Sequence, residues 1–216
     1  MIKSFYNENE TVEIGVDEAG RGPLFGRVYT AAVILPKDDS FDHSKMKDSK
    51  KFYSKKAILE AYNYIKENAV KYSVTWNDEE TIDKINIRQA TLNSMHKSIK
   101  NIINNEHDNL ILVDGNDFKP FTIIKNSTFK DVPHQCIISG DNTYSCIAAA
   151  SILAKVERDN YIDELCENNP FLKEYYKIDT NKGYGAKFHL EGIKKYGITK
   201  WHRRSYGPCK TAEIIN

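Results

Sequence analysis

The 216-residue sequence predicts an α/β fold with helices laid against a central sheet, and three observations carry that expectation. Two strand-like runs near the start are joined by a Gly-rich connection. A helical stretch is followed at once by a continuous apolar run, and an Ala-rich segment further on is apolar round most of a helix circumference. The first makes a β-β sheet edge, the second signals an α/β layer, and the third marks a central helix.

Residues 12–17 read as the first strand, and residues 27–35, ended by Pro36, as its hairpin partner. A polar loop over 37–54 leads into a helix over 55–68, where Ile58, Leu59, Tyr62 and Ile65 recur at helical spacing. Residues 70–76 form another strand. The next helix spans 87–103, with Ala90, Met95, Ile99, Ile102 and Ile103 largely on one face. Leu110 to Val113 then form a short buried strand that ends in Asp114-Gly115. From Thr143 onward Ile147, Ala148, Ala149, Ala150, Ile152, Leu153, Ala154 and Val156 make the central helix, and beyond Pro170 the tail reads as helical and basic with Gly breaks. No repeat or linker divides the chain, so residues 1–216 are expected to form a single domain, the last portion (170–216) being a smaller helical extension.

Composition narrows the function classes. With 40% hydrophobic and 28% charged residues the chain lies far from the disordered class. It opens without an apolar signal region, and no run approaches the roughly 18 apolar residues of a membrane span, so a cytoplasmic protein is expected. Cys136, Cys146, Cys166 and Cys209 show no paired spacing and suggest neither zinc nor a disulfide framework. Net charge is only +1, but cations crowd into 45–56 and 194–204 while the singled-out carboxylates close apolar strands. A basic surface round an acidic pocket suits a metal-dependent enzyme acting on a polyanion.

Asp17 closes the first strand, Asp114 closes the Leu-Ile-Leu-Val strand, and Asp141 follows Ile137-Ile138-Ser139-Gly140 just before the central helix. Clustered carboxylates repel, and a bound cation is the usual compensation. Glu18 would reach the same site as Asp17 only if the strand stops there, a stop expected from Gly20 and Gly22. Hard oxygens without His or Cys partners favour Mg²⁺ or Mn²⁺. Gly20-Arg21-Gly22-Pro23 is a compact loop whose backbone can approach a ligand, and Lys182-Gly183-Tyr184-Gly185 presents a second Gly-flanked site. Lys50 and Lys51, with Arg203 and Arg204 near the end, have the composition of phosphate contacts. His43, His96, His107 and His134 show no ligand spacing.

Taken in order, Gly15-Val16-Asp17-Glu18-Ala19-Gly20-Arg21-Gly22-Pro23, Asp48-Ser49-Lys50-Lys51, Val113-Asp114-Gly115-Asn116, Gly140-Asp141, the block from Ile147 to Val156 with Arg158-Asp159, Lys182-Gly183-Tyr184-Gly185 and His202-Arg203-Arg204-Ser205 closely resemble the motif series of ribonuclease HII over nearly the whole chain. The resemblance implies a ribonuclease H-like fold, a mixed sheet flanked by helices. It implies an endonuclease that hydrolyses the RNA strand of RNA/DNA hybrids and nicks DNA duplexes 5′ of embedded ribonucleotides. It also implies two Mg²⁺ or Mn²⁺ ions, with Asp17 bridging them, Glu18 and Asp114 on one and Asp141 on the other. One ion would activate the attacking water and the other would stabilise the leaving oxygen, giving 3′-hydroxyl and 5′-phosphate ends. In the family the loop matching Gly20-Arg21-Gly22 and the tyrosine matching Tyr184 recognise the ribonucleotide 2′-hydroxyl.

Arg27 stands where a second Pro is usual, and Ala186 where a Thr is common, a change expected to weaken a contact near Tyr184. The related ribonuclease HIII is expected to carry a further N-terminal domain, and the short segment before the first strand here favours HII. A monomer is expected, and no recruitment partner is legible. Two other readings use the same residues: a non-catalytic hybrid-binding module, which has no need of clustered carboxylates, and another two-metal phosphotransfer enzyme, which has no need of the Gly-Arg-Gly loop with Tyr184.

Overall fold

The computed structural model describes residues 2–125 and 127–215, and Met1, Asn126 and Asn216, which the expected single domain includes, lie outside them. Strand β1 (Val12–Ala19) pairs antiparallel with β2 (Val28–Ile34), and β2 with β3 (Lys71–Asn77). On its other side β1 runs parallel to β4 (Asn109–Asp114). A separate hairpin, β5 (Phe121–Lys125) and β6 (Thr128–Val132), leads to β7 (His134–Ile137), which adds in parallel to β4. The order β3-β2-β1-β4-β7 gives the mixed sheet that was expected.

Helices flank it because the strands alternate. One face carries Ile14, Val16, Ala32, Ile111 and Val113, which meet Leu92, Met95 and Ile99 of a helix over Ile87–Ile102. The other carries Ala31, Val33, Leu110 and Leu112, which meet Ile147, Ala148 and Ile152 of the helix over Ser145–Asn168, together with Ile65 from the helix over Lys55–Asn68. In chain order these are α1 (Lys55–Asn68), α2 (Glu79–Ile85), α3 (Ile87–Ile102) and α4 (Ser145–Asn168). Ser54, Asp78 and Asn86 start the first three by accepting backbone N–H bonds from Ala57, Thr81 and Gln89. Gly15 sets how near α4 lies: a Cβ there would stand 2.2 Å from the carbonyl carbon of Cys146 and 2.6 Å from the Ile147 nitrogen. Among the described residues no helix is long and apolar enough to cross a membrane.

Two expectations change. The first strand continues through Ala19, where it still pairs with Tyr29, so it does not stop at Asp17. The tail is less helical than expected: α5 (Phe171–Tyr176), α6 (Ile178–Asn181) and α7 (Lys187–Tyr196) are followed by turns, a short 3₁₀ turn over Gly207–Cys209 and an isolated bridge between Ile198 and Ile214. Leu172, Tyr176, Ile178 and Ile193 pack with Ile162 of α4 against Leu24 and Phe25. The tail thus closes over the loop that follows β1.

Candidate active site

Parallel pairing brings the carboxyl ends of β1 and β4 to one edge of the sheet, the usual place for ligands in α/β folds. The last pair in their ladder is Val16 with Val113, so Asp17 and Asp114 stand side by side on adjacent strands. Beyond Asp114, which pairs with Ile137 of β7, the chain returns through Ser139 in a left-handed conformation to a 3₁₀ turn over Gly140–Asn142 that holds Asp141. Glu18 faces away from Asp17 in the pleat, yet β4 has no partner left for β1 there. Asp17, Glu18, Asp114 and Asp141 therefore line one cleft of about 520 Å³.

The electrostatics of that cleft are costly. Burial first, then Glu18 and Asp114, raise the Asp17 carboxyl well above its ordinary value, with the Glu18 amide and the Ser151 hydroxyl opposing. Burial also raises Glu18, against the pull of Arg21, and raises Asp141, which Asp114 and Asp48 push further. Local bonds orient the four: Asp17 Oδ1 accepts from the Glu18 amide at 2.6 Å and Asp114 Oδ1 from the Gly140 amide at 2.7 Å. Glu18 Oε1 accepts from Arg21 at 3.4 Å and Asp141 Oδ1 from Asn142 at 3.1 Å. Among the described residues no three Asp, Glu, His or Cys side chains are spaced to close on one ion. Two unit charges about 5 Å apart repel by about 3 kcal/mol at an effective dielectric near 20, so four ionised carboxyls here would oppose one another. The donor set is hard oxygen throughout, which fits Mg²⁺ or Mn²⁺, and a cation would relieve the burden of burying these carboxyls together.

Gly20, Arg21, Gly22 and Tyr184 line the same cleft, from opposite ends of the chain. Gly20 has φ +94°, and a Cβ there would stand 2.2 Å from Arg158 Nε, so no other residue fits. A Cβ on Gly22 would touch the Tyr184 ring at 3.4 Å. Tyr184 is 52% exposed, its ring open to a partner.

A model of the ribonuclease HII family matches residues 14–209. The chain is 42% identical to a ribonuclease HII of Parabacteroides distasonis over 202 residues, 93% of this chain and 92% of that one. A ribonuclease HII of Cytophaga hutchinsonii is 40% identical over 205 residues, 95% and 93% of the two chains. The chain belongs to the ribonuclease HII family. It is accordingly a ribonuclease, a hydrolase. Its fold is shared with ribonuclease H2 from Pyrococcus horikoshii, at TM-score 0.71 and 23% identity, covering 92% of this chain and 95% of that one. Bst-RNase HIII, solved in complex with Mn²⁺, matches at TM-score 0.68 and 17% identity over 95% of this chain and 70% of its own.

The phosphate-contact expectations divide. Lys50 lies in the cleft lining, close enough to lower the Glu18 and Asp141 carboxyls. Lys51 and Arg204 are exposed but outside that lining: Lys51 bonds Asn142, and the Arg204 amide donates to Asp83 Oδ2 at 2.9 Å. Arg203 is a correction. It is 0% exposed, and its guanidinium is spent on the carbonyls of Gly20, Arg21, Pro23 and Gly26 at 2.6–3.0 Å, so it cannot reach a phosphate. Ala186 is the N-cap of α7 and supplies no side-chain cap, so its missing hydroxyl bears on a helix start. Arg27 stacks 3.7 Å over Trp76 and 4.4 Å over Tyr161.

Three polar residues in or beside the cleft have roles that their place in the motif series does not specify. Ser151 interrupts the apolar run of α4, bonds the Ser49 hydroxyl at 3.0 Å and supports Asp17. Asp48 caps the turn over Ser49–Lys51 and accepts from Asn142 at 3.4 Å. Arg158 is buried in α4 and donates to the carbonyls of Phe25, Arg27 and Lys182. A polar residue in an otherwise apolar helical stretch was the available clue for Ser151, whereas Arg158 stands among charged residues and offers none.

Proposed function

We propose that this ribonuclease acts on RNA paired to DNA, hydrolysing the RNA strand of hybrids and nicking DNA duplexes 5′ of embedded ribonucleotides. The observation that carries the reading is the meeting of four carboxylates, Asp17 and Asp141 buried and Glu18 and Asp114 partly so, with Gly20-Arg21-Gly22 and Tyr184 in one cleft. Asp17, Glu18, Asp114 and Asp141 would hold two divalent cations, Mg²⁺ or Mn²⁺, which when bound supply activation of water and stabilisation of the leaving 3′-oxygen, leaving 3′-hydroxyl and 5′-phosphate ends. Bst-RNase HIII, of the same fold, was solved with Mn²⁺, and that supports the choice of metal.

The chain's own residues do the rest. Amides of the Gly20–Gly22 loop and the Tyr184 face meet the ribose, where the 2′-hydroxyl distinguishes RNA from DNA. Lys50 neutralises a phosphate at the cleft edge, and Ser151 holds the Asp17 carboxylate in place. A non-catalytic binding module would have no use for carboxyls whose burial and mutual repulsion cost stability. We read the cleft and the tail that closes it as one catalytic unit acting as a monomer. The test is incubation of a labelled RNA/DNA hybrid with the folded protein. Cleavage with Mg²⁺ or Mn²⁺ that EDTA stops is expected, and an intact RNA strand would overturn the reading.

A further inference from the structure

The segment 199–206 reaches both halves of the cleft that the proposed function assigns to ribose recognition, without lining it. Arg203 Nη2 donates to the Gly20 carbonyl at 2.6 Å, Nη1 to the carbonyls of Arg21 and Pro23 at 3.0 and 2.8 Å, and Nε to that of Gly26 at 2.8 Å. The Tyr206 hydroxyl donates to the same Arg21 carbonyl at 2.7 Å. Peptide planarity sets the consequence: with the Gly20 and Arg21 carbonyls turned inward, the N–H groups of Arg21 and Gly22 point the opposite way. Neither N–H donates to another described residue.

The other half is held from the neighbouring residue. The Thr199 amide donates to His202 Nδ1 at 3.0 Å, so that nitrogen is the acceptor and His202 Nε2 carries the proton. It donates to His189 Nε2 at 3.1 Å, and His189 Nδ1 donates to the Tyr184 carbonyl at 2.8 Å. Both rings are fully or almost fully buried. Backbone bonds join the two halves: Leu24 N to the Gly183 carbonyl, and Arg203 N to the Leu24 carbonyl, each at 2.8 Å.

We propose that Arg203 and Tyr206 are positioning residues for ribose discrimination, together aiming the loop amides into the cleft opposite Tyr184, whose carbonyl the His202–His189 pair holds. The inference rests on the reading of Gly20–Gly22 and Tyr184 as the ribose contacts. Lys in place of Arg203 cannot reproduce a fork that serves four carbonyls. Tyr206→Phe is the gentler change, removing one donor from the Arg21 carbonyl and leaving the buried fork in place.

The experiment measures, with Ca²⁺ in place of the catalytic ion, dissociation constants for an all-DNA duplex and for the same duplex holding one ribonucleotide. Mn²⁺ affinity of each protein is measured alongside. The wild type should prefer the ribonucleotide duplex by roughly threefold to tenfold, the worth of one hydrogen bond. Arg203→Lys should bring that ratio to within about twofold of one, and Tyr206→Phe to an intermediate value, with Mn²⁺ affinity unchanged in both. Variants that keep the wild-type ratio overturn the positioning role alone. A loss of Mn²⁺ affinity in step with the ratio overturns it too, because the segment would then be supporting the whole cleft. A wild-type ratio of one overturns the ribose reading and this inference with it. Should Arg203→Lys fail to fold, Tyr206→Phe decides.

Discussion

Asp17→Asn should make the metal-free protein more stable while it abolishes turnover. Asparagine keeps the shape and the Oδ1 that accepts from the Glu18 amide at 2.6 Å, and it removes the charge that burial, Glu18 and Asp114 all oppose. Adjacent strands lie about 4.8 Å apart, so the neighbouring Asp114 charge repels Asp17 by up to about 3 kcal/mol at an effective dielectric near 20. After solvent relaxation and local rearrangement a gain of about 1–3 kcal/mol remains, equivalent to a rise of about 3–10 °C in Tm for a chain of this size. The sign in pH follows from the raised carboxyl. Above its unfolded value the native state holds the proton more tightly, so wild-type stability drains away as pH rises. The advantage of the variant should therefore grow from pH 4 to pH 7. Thermal unfolding in EDTA at several pH values measures it, and addition of Mn²⁺ should close or reverse the gap. A variant that melts at or below the wild type in EDTA at pH 7 would refute the account of a cleft burdened by its own charge.

Three further outcomes are expected. Ala186→Thr should stabilise the protein by about 1 kcal/mol by capping α7, and an unchanged urea midpoint would contradict the N-cap assignment. Gly15→Ala should cost about 3 kcal/mol or prevent folding, since its methyl would enter the α4 backbone, and near-native stability would show that the helix can withdraw. His202, pushed down to about 3 by burial and by His189, stays neutral in the fold while the unfolded residue takes a proton near 6.5. Its contribution is complete above pH 6.5 and lost toward pH 3 by about 1.4 kcal/mol per pH unit, so the Asp17→Asn protein should weaken between pH 6 and 4 in urea titrations, a flat profile arguing against the neutral His pair.

Much of the fold was legible where periodicity was strong. Val12–Asp17, Leu110–Val113, the α1 and α3 stripes and the Ala-rich α4 all announce a buried face, and the sheet they build is the one observed. The hairpin β5–β6 and strand β7 were not seen, because His134-Gln135-Cys136-Ile137 lies at a sheet edge, half exposed, and carries no apolar alternation. The carboxylates were legible as acids beside glycines at strand ends, and the cleft unites them. Glu18 joins for another reason than the expected strand stop: β4 ends first, so both faces of β1 open to the same space. Arg203 misled because a basic string near a chain end reads as surface, and only the fold shows its charge turned inward onto the carbonyls of a distant loop. Its neighbour His202 offered no spacing clue, since its partner His189 lies on α7 and the pair forms only when the tail closes.

The most direct test of the central claim is cleavage mapping on a DNA duplex holding one ribonucleotide, beside an identical duplex with a deoxynucleotide at that position, in Mn²⁺. A single nick 5′ of the ribonucleotide, with 3′-hydroxyl and 5′-phosphate ends and none in the deoxy duplex, is the predicted result. Equal cutting of both duplexes, or of neither by active protein, would contradict it.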